Sequence, residues 1–161
     1  MTEMPAKRYT WRSLVVLLVA TLGSGALVGF LTQRDSAFYE GLTKPPFAPP
    51  GWLFPVAWTL LYAAMATAMW FVLKAGDKDR FTLLGLYIAQ LAVNLLWPYL
   101  FFVLKALGLS FFWLLLLWML AAIMLYQFFR HSRIAGWLLV PYQAWLTFAA
   151  VLNFCLAQLN P

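Results

Sequence analysis

Charge is scarce in this 161-residue chain. Eleven Lys and Arg, five Asp and Glu and a single His are all it has, and charged residues make up 10% of the sequence. A soluble domain carries about a quarter. Five long runs, 13–31, 52–73, 81–104, 107–129 and 134–156, contain no Asp, Glu, Lys, Arg or His at all. A proton- or sodium-coupled transporter would have nothing there to titrate or to coordinate an ion. Cys155 is the one cysteine, so it has no partner within the chain and fits no metal spacing. His131 lies between Arg130 and Ser132 at the end of a run and reads as an interfacial residue. No Ser-His-Asp set, metal cluster or phosphate loop is present. Ordinary hydrolytic and phosphoryl-transfer chemistry is therefore excluded, and no catalytic or metal-binding residue is assigned.

What is abundant is apolar. Hydrophobic residues are 65% of the chain and the mean hydropathy is +0.81. A core of this size cannot hide so much apolar surface, so lipid must cover it. Each run has about the twenty residues that a helix needs to cross roughly 30 Å of hydrocarbon. Helices are required because backbone polar groups in lipid must be satisfied internally, and the runs lack the alternation of a β-barrel. The fold class is therefore an all-α membrane protein, a five-transmembrane-helix bundle. It forms one domain over 13–157, with tails at 1–12 and 158–161. The first run is too long for a signal peptide and is followed by no clear cleavage site.

The bases give an orientation. Lys7, Arg8, Arg12, Lys74, Lys78, Arg80, Arg130 and Arg133 fall on one side, and Arg34, Lys44 and Lys105 on the other. The positive-inside rule then predicts a cytoplasmic N-terminus and an external C-terminus. Topology and anionic lipid account for the net charge of +6, and nothing points to nucleic acid.

The long connection, 33–51, reads QRDSAFYEGLTKPPFAPPG and holds four of the nine prolines. A solvated linker would be polar, whereas this one carries Phe38, Tyr39, Leu42 and Phe47. It is read as a structured lid over the helix ends. Gly25 and Gly29 stand at the spacing that lets helices approach closely, within the bundle or between copies. Pro98 should kink the third helix and free a carbonyl near Asn94.

Nine tryptophans are far more than usual. Trp11, Trp52, Trp70 and Trp137 suit the membrane interfaces, while Trp58, Trp97, Trp113, Trp118 and Trp145 lie deeper. Helical spacing places Phe54, Trp58, Tyr62 and Met65 on one face of the second helix. It does the same for Gln90, Asn94, Trp97 and Phe101 in the third, and for Tyr142, Trp145, Ala149 and Leu152 in the fifth. The amides Gln90 and Asn94 are costly in hydrocarbon unless hydrogen-bonded, so both should face the interior or a cavity. Such faces serve either as helix packing with amides as glue, or as a pocket for a flat apolar ligand.

Three blocks in order resemble the translocator protein / tryptophan-rich sensory protein (TspO/MBR) family. They are FYEGLTKPPFAPPGWLFPVAWTLLY (38–62), AQLAVNLLWPYLFF (89–102) and VPYQAWLTFAAVLNF (140–154). The resemblance implies a five-helix bundle, commonly a homodimer, that binds porphyrins in bacteria; mitochondrial members bind cholesterol and isoquinoline or benzodiazepine drugs. Its pocket lies between helices and is capped by the first long loop. By motif position it implies ligand contacts at Trp52, Phe54, Trp58, Tyr62, Asn94, Trp97, Tyr142, Trp145, Ala149 and Leu152. Tyr39, Lys44 and Gln90 join these as candidates, Lys44 as a base for porphyrin carboxylates. The porphyrin is a ligand, and no cofactor is expected.

Departures exist. Phe38 stands where the family often has Trp, and Gln143 follows Pro141-Tyr142 where Leu is usual. The sterol pattern expected after the fifth helix is absent; a formal but permissive match, Leu120–Tyr126–Arg130, closes the fourth. Three readings stay open: a receptor or sensor of tetrapyrroles that assists their transport or regulation, a light-dependent porphyrin-degrading enzyme using Trp52, and a structural partner-binding membrane protein with a filled interior.

Overall fold

The computed structural model describes residues 10–32, 36–76 and 79–161. Six helices follow one another: α1 (Trp11–Thr32), a short α2 (Ser36–Gly41), α3 (Leu53–Ala75), α4 (Arg80–Pro98), α5 (Leu107–His131) and α6 (Arg133–Leu159). No strand occurs among the described residues. Five of the six are long and apolar enough to span a membrane, counting α4 together with the π-helical turn that extends it, Tyr99–Val103. The protein is a five-span α-helical bundle. Around it the spans follow the order α1, α3, α6, α5, α4, with α4 returning to α1.

The helices reach one to three residues beyond the apolar runs at most ends, because polar residues at an interface can stay helical while water serves their side chains. Gly76 closes α3 in the left-handed region, φ 75°, where glycine carries no Cβ penalty. Ser132 is the single residue between α5 and α6, and its hydroxyl accepts the Ala135 N–H at 3.3 Å as an N-cap. So tight a hairpin needs close helix approach, which Gly136 permits: a Cβ there would fall on the ring of Phe129.

The third run is not one uninterrupted helix over 81–104. Regular α4 stops at Pro98, and the chain continues as a π turn in which the Leu104 N–H reaches the Tyr99 carbonyl at 3.0 Å. Proline lacks the N–H for the preceding turn, and the wider ring absorbs the mismatch.

Packing distinguishes the two small residues of α1. A Cβ on Gly25 would land on the Tyr62 ring of α3, whereas Gly29 has open space beside it. Gly25 therefore serves packing within the bundle. The centre is filled by Met65, Met69 and Val72 of α3, Leu117, Met124 and Phe128 of α5, and Leu139 and Leu146 of α6, all with no exposed surface. Bases lie at the ends, several over rings: Lys74 over Trp70 at 4.9 Å and Arg80 over Phe81 at 5.0 Å. Of the bases used for orientation, Lys7, Arg8, Arg34 and Lys78 lie outside the described residues, as do 33–35 of the long connection.

Candidate functional site

α3, α4 and α6 turn their aromatic and amide faces toward one another, and a chain of hydrogen bonds joins them. The Tyr62 hydroxyl donates to Asn94 Oδ1 at 2.8 Å, and Asn94 Nδ2 donates to the Tyr142 hydroxyl at 2.8 Å. That hydroxyl donates in turn to Gln90 Oε1 at 2.8 Å. Gln90 and Asn94 are both buried. In hydrocarbon such groups stay only when paired, so the chain locks the register of three helices. One turn further along α4 and about three along α6, Asn153 Oδ1 accepts from Trp97 Nε1 at 3.2 Å, and Asn153 Nδ2 donates to the Leu107 carbonyl at 2.9 Å.

Against this polar ladder stands an aromatic wall. Trp58 lies 5.5 Å from Tyr62 and 6.4 Å from each of Tyr142 and Trp145, centroid to centroid. Phe54 meets Trp145 edge-on at 6.1 Å and Tyr39 at 5.2 Å. A small space lies beside this wall, and none of Trp58, Tyr62, Tyr142 and Trp145 lines it. A cavity of about 20 Å3 is lined by Tyr39, Phe54, Trp97, Phe101, Phe102, Ala149, Leu152, Asn153 and Leu156. A pocket for a drug-sized ligand measures roughly 300–1,000 Å3. In this conformation the rings themselves occupy the interior.

The segment after α2 closes that end of the bundle. Tyr39 is buried and its hydroxyl donates to the Pro49 carbonyl at 2.9 Å. Burial, and then the neighbouring Glu40 carboxylate, push its phenol above the ordinary value. Lys44 pairs with Glu40 at 2.7 Å and sits 4.5 Å over the Tyr39 ring. The hydrogen bond from Lys44, with its charge and the Gly51 N–H, holds the Glu40 carboxyl below its usual value against a smaller opposing effect of burial.

Most sequence-selected residues thus converge: Tyr39, Phe54, Trp58, Tyr62, Gln90, Asn94, Trp97, Tyr142, Trp145, Ala149 and Leu152 all lie in or against this interior. Trp52 does not. It precedes α3 on a turn and is 67% exposed, pointing away from the rings that motif position assigned it to join. Lys44 is half-buried in the lid, engaged with Glu40 and the Tyr39 ring rather than with the aromatic wall.

Spacing missed the buried Thr21–Tyr87 hydroxyl pair at 2.6 Å between α1 and α4, although Tyr87 falls one turn before Gln90 on the same face. It also missed the bonds between Asn160 and Thr43, for which the sequence carries no signal. Three buried side-chain atoms have no hydrogen-bond partner among the described residues: Gln90 Nε2, Trp145 Nε1 and Gln143 Oε1.

At the other end a polar cleft of about 270 Å3 is lined by Asp79, Thr82, Leu83, Gln127, Arg130 and His131. His131 Nδ1 lies 2.7 Å from the Gln127 carbonyl and Nε2 3.8 Å from Asp79. Among the described residues no three His, Cys, Asp or Glu come together as a metal set.

Known proteins are similar to this chain in sequence. The TspO/MBR family matches residues 15–159. The tryptophan-rich protein TspO of Chlorobaculum tepidum is 37% identical over 154 residues, covering 91% of this chain and 98% of its own. The tryptophan-rich sensory protein of Cereibacter sphaeroides is 36% identical over 148 residues, 92% of each. The translocator protein of Sus scrofa is 38% identical over 151 residues, covering 89% and 86%. With the match running from the first span to the last, this integral multi-pass membrane protein belongs to the TspO/MBR family.

Proposed function

We propose that the protein is a membrane receptor or sensor that binds a porphyrin-like tetrapyrrole, or another flat apolar molecule, between α3, α4 and α6. The observation that carries this reading is the wall of Trp58, Tyr62, Tyr142 and Trp145 set against the Asn94 amide. Rings supply stacking area, and a few polar groups orient what stacks on them. Two of the unpartnered atoms, Gln90 Nε2 and Trp145 Nε1, are donors in a water-poor interior, which suits a ligand bearing acceptor oxygens or nitrogens. The relatives named sensory and translocator proteins support a receptor role.

Binding requires the rings to part, since those of the wall pack on one another at 5.5 to 6.4 Å and the cavity beside them, about 20 Å3, holds no macrocycle. Sterol and isoquinoline or benzodiazepine ligands fall within the same class, and assistance to transport or regulation would follow from capture and release. The oligomer is taken as a homodimer and the N-terminus as cytoplasmic. Light-dependent degradation is disfavoured here, because exposed Trp52 stands apart from the wall on which a porphyrin would stack.

Titration of the purified protein with protoporphyrin, followed by tryptophan fluorescence, tests the reading. Saturable quenching in the wild type, weakened in Asn94→Ala and Trp145→Phe, is the expected result. Quenching that never saturates, or that ignores both substitutions, would mean that porphyrin only partitions into the detergent.

A further inference from the structure

The loop between α2 and α3 is tied to the far end of the chain. The Thr43 N–H donates to Asn160 Oδ1 at 2.9 Å, and Asn160 Nδ2 donates back to the Thr43 carbonyl at 3.0 Å. The same Nδ2 also donates to the Leu156 carbonyl at 2.9 Å, which holds the amide against the end of α6. One amide thus takes both backbone groups of one residue, as a neighbouring strand would. The geometry needs a donor and an acceptor side by side at the right reach, so a carboxylate supplies half of it and an apolar side chain none.

The tied segment is stiff. Tyr39 is bonded to Pro49, Glu40 to Lys44, and four prolines lie between Thr43 and Gly51. Gly51 sits so close to the Glu40 carboxylate that a Cβ there would meet Oε1. Its other described holds on the bundle are apolar or ring contacts: Tyr39 on Phe54, Phe38 on Phe101 and under Lys105, Phe47 on Phe148, and Leu42 and Ala48 on the core. Such contacts slide, whereas a two-bond amide clasp has one register. A stiff segment with one such clasp lifts as a unit when the clasp opens, and beneath it Tyr39 and Phe54 line the cavity.

We propose that Asn160 is a positioning residue that latches this lid and sets how fast a flat ligand reaches and leaves the aromatic interior, rather than how tightly it is held. The latch meets the interior only through the backbone carbonyl of Leu156, and it closes alike over the collapsed rings and over a bound ligand. Weakening it therefore lowers the barrier in both directions and leaves the equilibrium nearly unchanged. This inference rests on the pocket reading above.

The test uses the full chain in nanodiscs, as wild type, Asn160→Ala, Asn160→Asp and Thr43→Ala. Without ligand, hydrogen exchange at the Thr43 amide should quicken about tenfold in Asn160→Ala, the scale of one to two net hydrogen bonds. It should quicken less in Asn160→Asp, and not at all in Thr43→Ala, because the clasp uses only the backbone of Thr43. Stopped-flow quenching by protoporphyrin should show association and dissociation both several-fold faster in Asn160→Ala, roughly in the same proportion, with Kd held within about twofold. Unchanged amide exchange in Asn160→Ala would overturn the latch itself. Faster exchange with unmoved ligand rates would overturn its role as a gate, the ligand then passing between helices. A weakened Kd with unchanged association would make Asn160 part of the site. Wild-type quenching that never saturates would sink the pocket reading and the gate with it, while saturable wild-type binding with unmoved rates sinks the gate alone.

Discussion

Helices α1 and α4 cross the same membrane and differ in what they hide. α1 has the highest mean hydropathy of the five spans, 2.4, and only 6% of its central window is buried; α4 with its π turn has 1.6, and 33% is buried. In water the most apolar element would be the most enclosed. Lipid removes that rule, because hydrocarbon solvates Val16, Val19 and Leu27 of α1 as well as a core would. Beside its apolar centre, the interior takes the side chains that lipid cannot serve. Gln90, Asn94 and Trp97 are buried on α4, while Ile88 and Leu96 of the same helix face outward. On α4, polarity marks the face that turns inward.

The comparison breaks most readily at Asn94. Replacing it with Leu removes two interhelical hydrogen bonds and leaves the Tyr62 and Tyr142 hydroxyls short of partners. A loss of about 2–4 kcal/mol is expected in unfolding from nanodiscs or mixed micelles. Val19→Leu on the lipid face of α1 should stay within about 0.5 kcal/mol. Equal effects of the two substitutions would refute the contrast.

A smaller effect tests a place where α1 packs on the ladder. Gly25→Ala sets a methyl on the Tyr62 ring and should cost about 1–3 kcal/mol, whereas Gly29→Ala, with open space, should be neutral in the same unfolding assay. If Gly29→Ala leaves stability intact but dissociates an oligomer on sizing, that position belongs to a seam between copies.

The smallest expected effect lies at the lid, outside both helices. Because Lys44 holds the folded-state pKa of Glu40 below its ordinary value of 4.5, its ion pair supports the lid fully above that value. The support fades as pH falls through the depressed folded value. Protection factors across 36–52, the hydrogen-exchange rates corrected for their intrinsic pH dependence, should therefore be flat from neutral pH down to about 4.5 and fall below it. In Glu40→Gln that pH dependence should vanish, and persistence of the same acid transition there would assign it to another group.

Hydropathy made the five spans legible, since twenty apolar residues without a charge have no other stable form in lipid. The inward position of Gln90 and Asn94 was equally legible, from the cost of an unpaired amide in hydrocarbon. Trp52 was not. Motif position and interfacial chemistry gave it two roles, and the turn that precedes α3 decided between them by pointing it outward. Pro98 announced a break but not its form, because whether a chain kinks or widens into a π turn depends on what packs beside it.

Composition and periodicity alone determined that this protein spans a membrane five times and which helix faces are polar, since both follow from single-residue transfer costs. Four things were decided only by the tertiary structure: that Gly25 meets Tyr62, that Tyr142 bridges Asn94 and Gln90, that Trp58 packs on Tyr62, Tyr142 and Trp145, and that Asn160 holds Thr43 from 117 residues away. The physical reason is distance along the chain: local sequence sets the direction in which a side chain leaves its helix, and packing chooses which partner it meets.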